Sequence, residues 1–304
     1  MKIKLKSIHI LKNFISFLEV LKIPRLGNFS FFELIKLYFS GIINGTLSSR
    51  AGSIAFSFFM AFFPFILFIL NLIAFIPIEN FDNVLFDFIK DSIPIDSQDY
   101  FTPIFDDIRL KQRTGLLSSV FLLSILLTAN GVSSIFSGFE GSYHVRLSRN
   151  FFRQYLYSLF VGILLALLLL IGVAIYIFFE IYIINNLEDL ITSEINWIRF
   201  LKTFFYLGLI YISVAILYYF GTIEGKKSKF FSPGAFMTFL LIILTTYIFG
   251  IYIENFSKFN QLYGSIGALL IFLFYIWLNS SVLLLGFELN ATLNRLKDQE
   301  NINS

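Results

Sequence analysis

The sequence predicts an all-α, polytopic integral membrane protein with six transmembrane helices and both termini on the cytoplasmic side. Three observations carry that expectation. Hydrophobic residues make up 57% of the 304 positions and charged ones only 14%, a balance that a water-facing surface does not tolerate. Several uncharged runs reach the roughly 20 residues needed to cross about 30 Å of hydrocarbon. The basic residues also fall on alternate sides of those runs.

Taken in order, residues 1–48 form a cytoplasmic or interfacial segment. Ile3, Ile8, Leu11, Ile15, Leu18 and Leu21 recur at helical spacing among Lys2, Lys4, Lys6, Lys12 and Lys22, as in a basic amphipathic helix on an anionic leaflet. This start has no unbroken apolar core and no small-residue cleavage site, so it does not read as a signal peptide. Residues 29–47 are apolar enough to imitate a seventh span. Glu33 and Lys36 favour an interfacial elbow instead.

The transmembrane domain occupies residues 49–290, with spans expected at 51–76, 115–139, 155–183, 203–220, 233–253 and 265–287. Pro64 removes a backbone donor within the first span, and Ser232-Pro233 supplies a cap and first-turn proline for the fifth. Between the first two spans, the loop 77–114 carries eight acids against four bases and is expected outside the cytoplasm. Residues 291–304 form a cytoplasmic tail. With the N-terminus inside, the cytoplasmic segments hold 16 Lys and Arg residues and the opposite side 7, which sets the orientation.

Polar residues within the spans are the candidate functional positions. At about 100° per residue, Gly264, Ala268, Tyr275, Asn279, Gly286 and Asn290 share one face of the sixth span, a small-and-polar stripe that should meet protein or a cavity. Ser119, Asn130, Ser134 and Ser137 form a similar stripe on the second. Asn130, Ser134, Tyr275, Asn279 and Asn290 are therefore either hydrogen-bonding contacts between helices or the lining of a polar path. Ala51, Ala55, Gly264 and Gly286 are expected to allow close helix packing.

Glu288 lies nearly opposite the sixth-span stripe, at the cytoplasmic end. It can serve as an interfacial anchor reaching headgroup water or pairing with Arg295, or it can have a functional role. Arg146, Arg149 and Arg153 are membrane-interface charges that anchor topology or meet phosphates.

No catalytic constellation, cofactor motif or metal site is expected. His9 and His144 lack a second ligand at metal spacing, no cysteine is present, and no glycine-rich phosphate loop or nucleophile elbow occurs. The expected partners are membrane lipids, with an envelope lipid or amphiphile as a candidate solute and no nucleic acid.

The segments AGSIAFSFFMAFFP (51–64), SPGA (232–235), LYGSIGA (262–268) and LGFELNA (285–291), in this order and spacing, resemble the YihY/BrkB family of bacterial inner-membrane proteins. The resemblance spans about residues 30–293. It implies six helices with both termini inside, and places Tyr263, Gly264, Gly286, Glu288 and Asn290 at the family's recurrent positions. Its virulence-factor label points to the cell envelope. Some members carry the label ribonuclease BN; nuclease chemistry needs clustered metal ligands or an acid-base pair beside a basic RNA surface, and this chain offers neither. A transporter or lipid-handling protein is the first expectation, and a non-transporting scaffold acting through loop 77–114 is the second.

Overall fold

In the computed structural model, the described residues are 29–73, 117–145, 148–179, 195–255 and 265–303, with Glu19 and Lys22. The basic leader, the 77–114 loop, Arg146, Tyr263 and Gly264 lie outside them. Seven α-helices account for nearly all of the described chain: α1 (Phe31–Asn44), α2 (Leu47–Ile73), α3 (Leu117–Glu140), α4 (Phe151–Phe179), α5 (Ile195–Gly221), α6 (Pro233–Asn255) and α7 (Ser265–Asn303).

Helices α2 to α7 overlap the six expected apolar runs. Four stretches among the described residues are long and apolar enough to cross a membrane by length and composition: Phe151–Ile175, Thr203–Gly221, Pro233–Ile253 and Leu269–Glu300. The protein is thus a multi-pass membrane protein.

Local chemistry sets the helix boundaries. Ser30 opens α1 with a capping box: the Glu33 backbone N–H donates to Ser30 Oγ (3.2 Å) and the Ser30 N–H to Glu33 Oε2 (2.8 Å). The helix closes at Gly45, whose N–H donates to the Gly41 carbonyl. Thr46, with φ of 48°, makes the sharp corner into α2. Residues 29–47 are therefore one 14-residue helix and a tight turn, too short for a perpendicular crossing. α2 runs through Pro64. Pro233 starts α6 as expected, with the Ala235 N–H donating to Ser232 Oγ (3.2 Å).

Sequential neighbours pack in order from α2 to α7, and α7 closes the ring on α2, while α1 lies against α7. Glycines let the helices approach: Gly131 of α3 meets Ala61 of α2, Gly162 of α4 meets Thr128 of α3, and Gly172 of α4 meets Leu209 of α5. Ala51 and Ala55 are buried on α2.

The core lies toward one end, where Ile54, Phe136, Phe139, Tyr218, Leu284 and Phe287 interlock. Phe139 and Phe287 stack with ring centroids 4.3 Å apart, and Tyr218 meets both edge-on.

The last helix extends past the expected end of the sixth span. α7 has 39 residues, about 58 Å at 1.5 Å per residue, and continues without a break through the segment expected to be a separate tail. Ala291, Thr292, Asn294 and Leu296 are buried, which explains the continuity: the helix keeps finding partners beyond residue 290.

Candidate functional site

The start of α2, the ends of α3 and α5, the starts of α4 and α6, and residues 285–296 of α7 meet at one end of the bundle. Arg50 Nη1 donates to the Gly138 carbonyl (2.8 Å), tying the start of α2 to the end of α3. Arg149 Nη1 donates to the Gly221 carbonyl (2.9 Å), tying the approach to α4 to the end of α5. Arg295 of α7 donates from Nη1 to Nδ1 of His144, in the α3–α4 connection (2.8 Å).

Glu288 is at the centre of this end and has no solvent exposure. Its Oε1 accepts from Ser142 Oγ (3.0 Å) and lies 3.7 Å from His144 Nε2. Its Oε2 lies 3.6 Å from Nη2 of Arg50, itself 9% exposed. That spacing is within ion-pair range and outside hydrogen-bond range. Glu288 Oε2 and Arg50 Nε and Nη2 accordingly have no hydrogen-bond partner.

The cluster is covered by α1. Tyr38 donates from its hydroxyl to the Leu285 carbonyl (3.2 Å), and Leu37 O lies 3.0 Å from His144 Nε2. Gly41 sits directly on the carboxylate, so that a methyl there would strike Glu288 Oε1 and His144 Nε2. Gly45 packs likewise against Arg50 Nη2, and Gly141 against Arg50 Cδ.

This placement corrects the expectation for Glu288. It neither reaches headgroup water nor pairs with Arg295; its counter-charge is Arg50, 238 positions earlier in the chain, and Arg295 serves His144. Sequence reasoning weighed His144 only as a metal ligand and gave Arg50 no role. The available signal was topological, because Arg50, His144 and Glu288 all fall at helix ends assigned to the same side.

A second polar seam joins α7 to α5 and α6. Asn290 Oδ1 accepts from the Gly234 N–H (2.9 Å), and its Nδ2 donates to Ser232 Oγ (2.7 Å). Gly286 touches Thr238 and the Gly234 carbonyl so closely that no side chain fits. The buried Tyr218 hydroxyl donates to the Leu283 carbonyl (2.6 Å) and also meets Thr238 Oγ1. Further along, the hydroxyls of Tyr275 and Thr246 are 2.9 Å apart. Tyr275, Gly286 and Asn290 of the α7 stripe thus meet α6 and its cap.

The other stripe residues are not drawn into that seam. Asn279 donates to the Tyr275 carbonyl of its own helix (2.9 Å). Asn130 is exposed on α3, and Ser134 Oγ donates back to the Asn130 carbonyl (3.1 Å). Ser137 accepts from Gln154 of α4 (2.7 Å). The hydrogen bonds of Ser134 and Ser137 therefore stay on α3 or go to α4, while those of Tyr275, Asn279 and Asn290 stay on α7 or go to α6 and its cap.

Of the interface arginines, Arg153 is exposed on the first turn of α4. Arg149 is half-buried, with its guanidinium 4.5 Å from the Tyr157 ring centroid. Burial lowers its pKa from the ordinary guanidinium value, and the Glu140 carboxylate opposes that shift. It satisfies a terminal carbonyl of α5.

Residues 38–304 match the family model described as Virulence factor BrkB. The chain belongs to the BrkB family. Among relatives, this BrkB-family chain is 26% identical over 254 residues to a protein of Bacillus subtilis (strain 168) named "Putative ribonuclease-like protein YfkH", covering 82% of this chain and 90% of that one. It is 22% identical over 263 residues to a UPF0761 membrane protein of Xanthomonas campestris pv. campestris (strain B100), and 23% over 263 residues to one of Xanthomonas oryzae pv. oryzae (strain PXO99A). Each alignment with a Xanthomonas protein covers 84% of this chain but 60% of the relative. No solved structure matches the chain.

The matched region contains the whole buried cluster, including Tyr38, Arg50, His144, Glu288 and Arg295.

Proposed function

We propose that this BrkB-family protein moves or positions an anionic, lipid-like amphiphile of the cell envelope, is not an enzyme, and uses the buried Arg50–Glu288–His144 cluster rather than the amide stripe. The carrying observation is the wholly buried Glu288, held by a loosely fitted guanidinium and covered by α1. Ionisable groups inside a membrane bundle are costly, and where they persist they mark substrate or ion pathways.

The charge at this end favours an anionic headgroup. The cluster holds two guanidiniums, Arg50 and Arg295, against one carboxylate, and Arg149, Arg153 and Lys226 lie in the neighbouring segments. The same cations, together with an even number of crossings between the start of α2 and the end of α7, support an inner-membrane protein with six spans and a cytoplasmic cluster. The name of the Bacillus relative suggests a nuclease, but a single carboxylate paired with arginine differs from the several carboxylates of a two-metal nuclease.

The test is mass spectrometry of lipids copurified with the full chain, comparing wild type with Arg50→Gln, Arg50→Lys and Asn279→Leu at matched thermal stability. One acidic envelope lipid should be enriched with wild type, Asn279→Leu and Arg50→Lys, and lost from Arg50→Gln. Bulk membrane lipid in every sample overturns the proposal. Loss from Asn279→Leu alone returns the site to the amide stripe.

A further inference from the structure

We propose that Glu288 is a proton-binding site of the bundle and that His144 is the group through which the proton enters and leaves. The proposal deepens the function above by naming a second ligand of the same cluster, and it rests on taking that cluster as the functional centre. The geometry gives three reasons.

First, the site has chemical room for a proton and steric room for nothing larger. Glu288 is wholly buried, Arg50 Nη2 is 3.6 Å from its Oε2, and its Oε1 accepts from Ser142 while facing His144 Nε2 at 3.7 Å. A carboxylate oxygen has two lone pairs, so Oε1 keeps one for a proton on the side of His144. Gly41 of α1 and Gly45 at its cap press on Glu288 and Arg50 so closely that a methyl group would collide with either side chain. A solute headgroup cannot enter while α1 is in place.

Second, the hydrogen bonds fix the form of His144. A guanidinium only donates, so Arg295 Nη1 at 2.8 Å requires a lone pair on His144 Nδ1. The imidazole is therefore neutral and carries its hydrogen on Nε2, which points to the Leu37 carbonyl at 3.0 Å with Glu288 Oε1 at 3.7 Å. One nitrogen faces Arg295 and the other faces the carboxylate.

Third, the transfer balances. When Arg295 turns away, a hydronium ion from the cytoplasmic side gives its proton to the Nδ1 lone pair, leaving water and an imidazolium. The imidazolium then moves from the Leu37 carbonyl to close the 3.7 Å gap to Glu288, its Nε2–H bond breaks with the electron pair staying on nitrogen, and the proton joins a lone pair of Glu288 Oε1. A neutral carboxyl and the Nδ1–H imidazole remain, and the reverse sequence empties the site. Ser142, bonded to Glu288 Oε1 through its hydroxyl and to the His144 N–H through the same oxygen, holds the two groups in register.

The groups around the carboxylate set the consequence. Tyr38 faces it from α1, Arg50 from α2, and His144 from the α3–α4 connection. Arg295 of α7 acts through His144, Glu140 of α3 is engaged by the Arg149 N–H, and Tyr218 of α5 is engaged by Leu283 and Thr238. Once Glu288 is neutral, Arg50 keeps only its bond to Gly138. Its guanidinium is then free for an anionic headgroup admitted by movement of α1.

Infrared difference spectroscopy on the full chain in lipid nanodiscs, recorded as pH is lowered, tests the site without any solute. A protonated-carboxyl band should appear in wild type, vanish in Glu288→Gln and change frequency in Glu288→Asp, which keeps a carboxyl and controls for folding. In Arg50→Gln it should appear at least about one pH unit nearer neutrality, because an opposing cation is gone. In His144→Asn the band should reach full size but form at least about tenfold more slowly after a pH jump, since a positioned acid-base group has been removed. A band that persists in folded Glu288→Gln, or that appears in wild type only on unfolding, overturns the proposal. Equal rates in wild type and His144→Asn overturn the route. These readouts are independent of lipid enrichment, so failure of either proposal is recognisable by itself.

Discussion

Glu288 and Arg50 form a buried ion pair across α7 and α2, 3.6 Å apart and without a direct hydrogen bond. Removing one partner strands the other charge where water cannot reach it, at a cost of about 3–5 kcal/mol. Arg50→Gln and Glu288→Gln should each lower the unfolding free energy in detergent by about that amount. The double variant should lose clearly less than the sum of the two, because neither charge is left alone. Strictly additive losses in a double-mutant cycle would show that the pair is not coupled.

Much of the architecture was legible in the sequence, because lipid imposes a simple rule: a span must be about 20 residues long and nearly free of charge. Asn290 and Gly286 were also legible as a packing face, since helical periodicity alone puts them on one side of α7 and an amide must find a partner. The burial of Glu288 was hidden for the same reason. Periodicity gives the face of one helix but not what another helix brings to it, and Arg50, 238 positions away, is joined to Glu288 only by closure of the ring. The length of α7 was hidden because Asn294 and Arg295 lie beyond the expected span, and only the fold brings Ser228 and His144 to them.

The α6–α7 contact predicts a sharp difference among glycines. Gly286→Ala places a methyl against Thr238 and the Gly234 backbone and should destabilise by about 1–3 kcal/mol through overpacking. Gly52 and Gly208 have open space around the added carbon. Alanine at either should leave stability unchanged or raise it by up to about 1 kcal/mol, from helix propensity alone. Thermal unfolding of the three variants in one detergent checks the ranking, and similar losses at all three would contradict the close approach.

The two amides should behave differently. Asn290→Leu leaves the buried Gly234 N–H without its partner and takes one of two donors from Ser232 Oγ, an expected loss of about 1–3 kcal/mol. Asn279→Leu removes only a bond to the preceding turn of its own helix and should cost under about 1 kcal/mol. Chemical denaturation of both variants decides the matter; a larger loss for Asn279→Leu would mean that its amide has a partner beyond its own helix.

Arg149 joins two helix ends by a planar donor, and charge alone does not replace it. Its guanidinium reaches the Gly221 carbonyl while lying over Tyr157, so the geometry combines a charge-assisted hydrogen bond with a cation–π contact. Arg149→Lys keeps the positive charge that anchors topology but loses the flat group that can do both. It should insert with normal orientation yet unfold with about 1–2 kcal/mol less stability. Cysteine accessibility at an engineered terminal site reports orientation, and denaturation reports the energy. An inverted protein would place Arg149 chiefly among the topology determinants, whereas unchanged stability would mean that the contacts at Gly221 and Tyr157 contribute little.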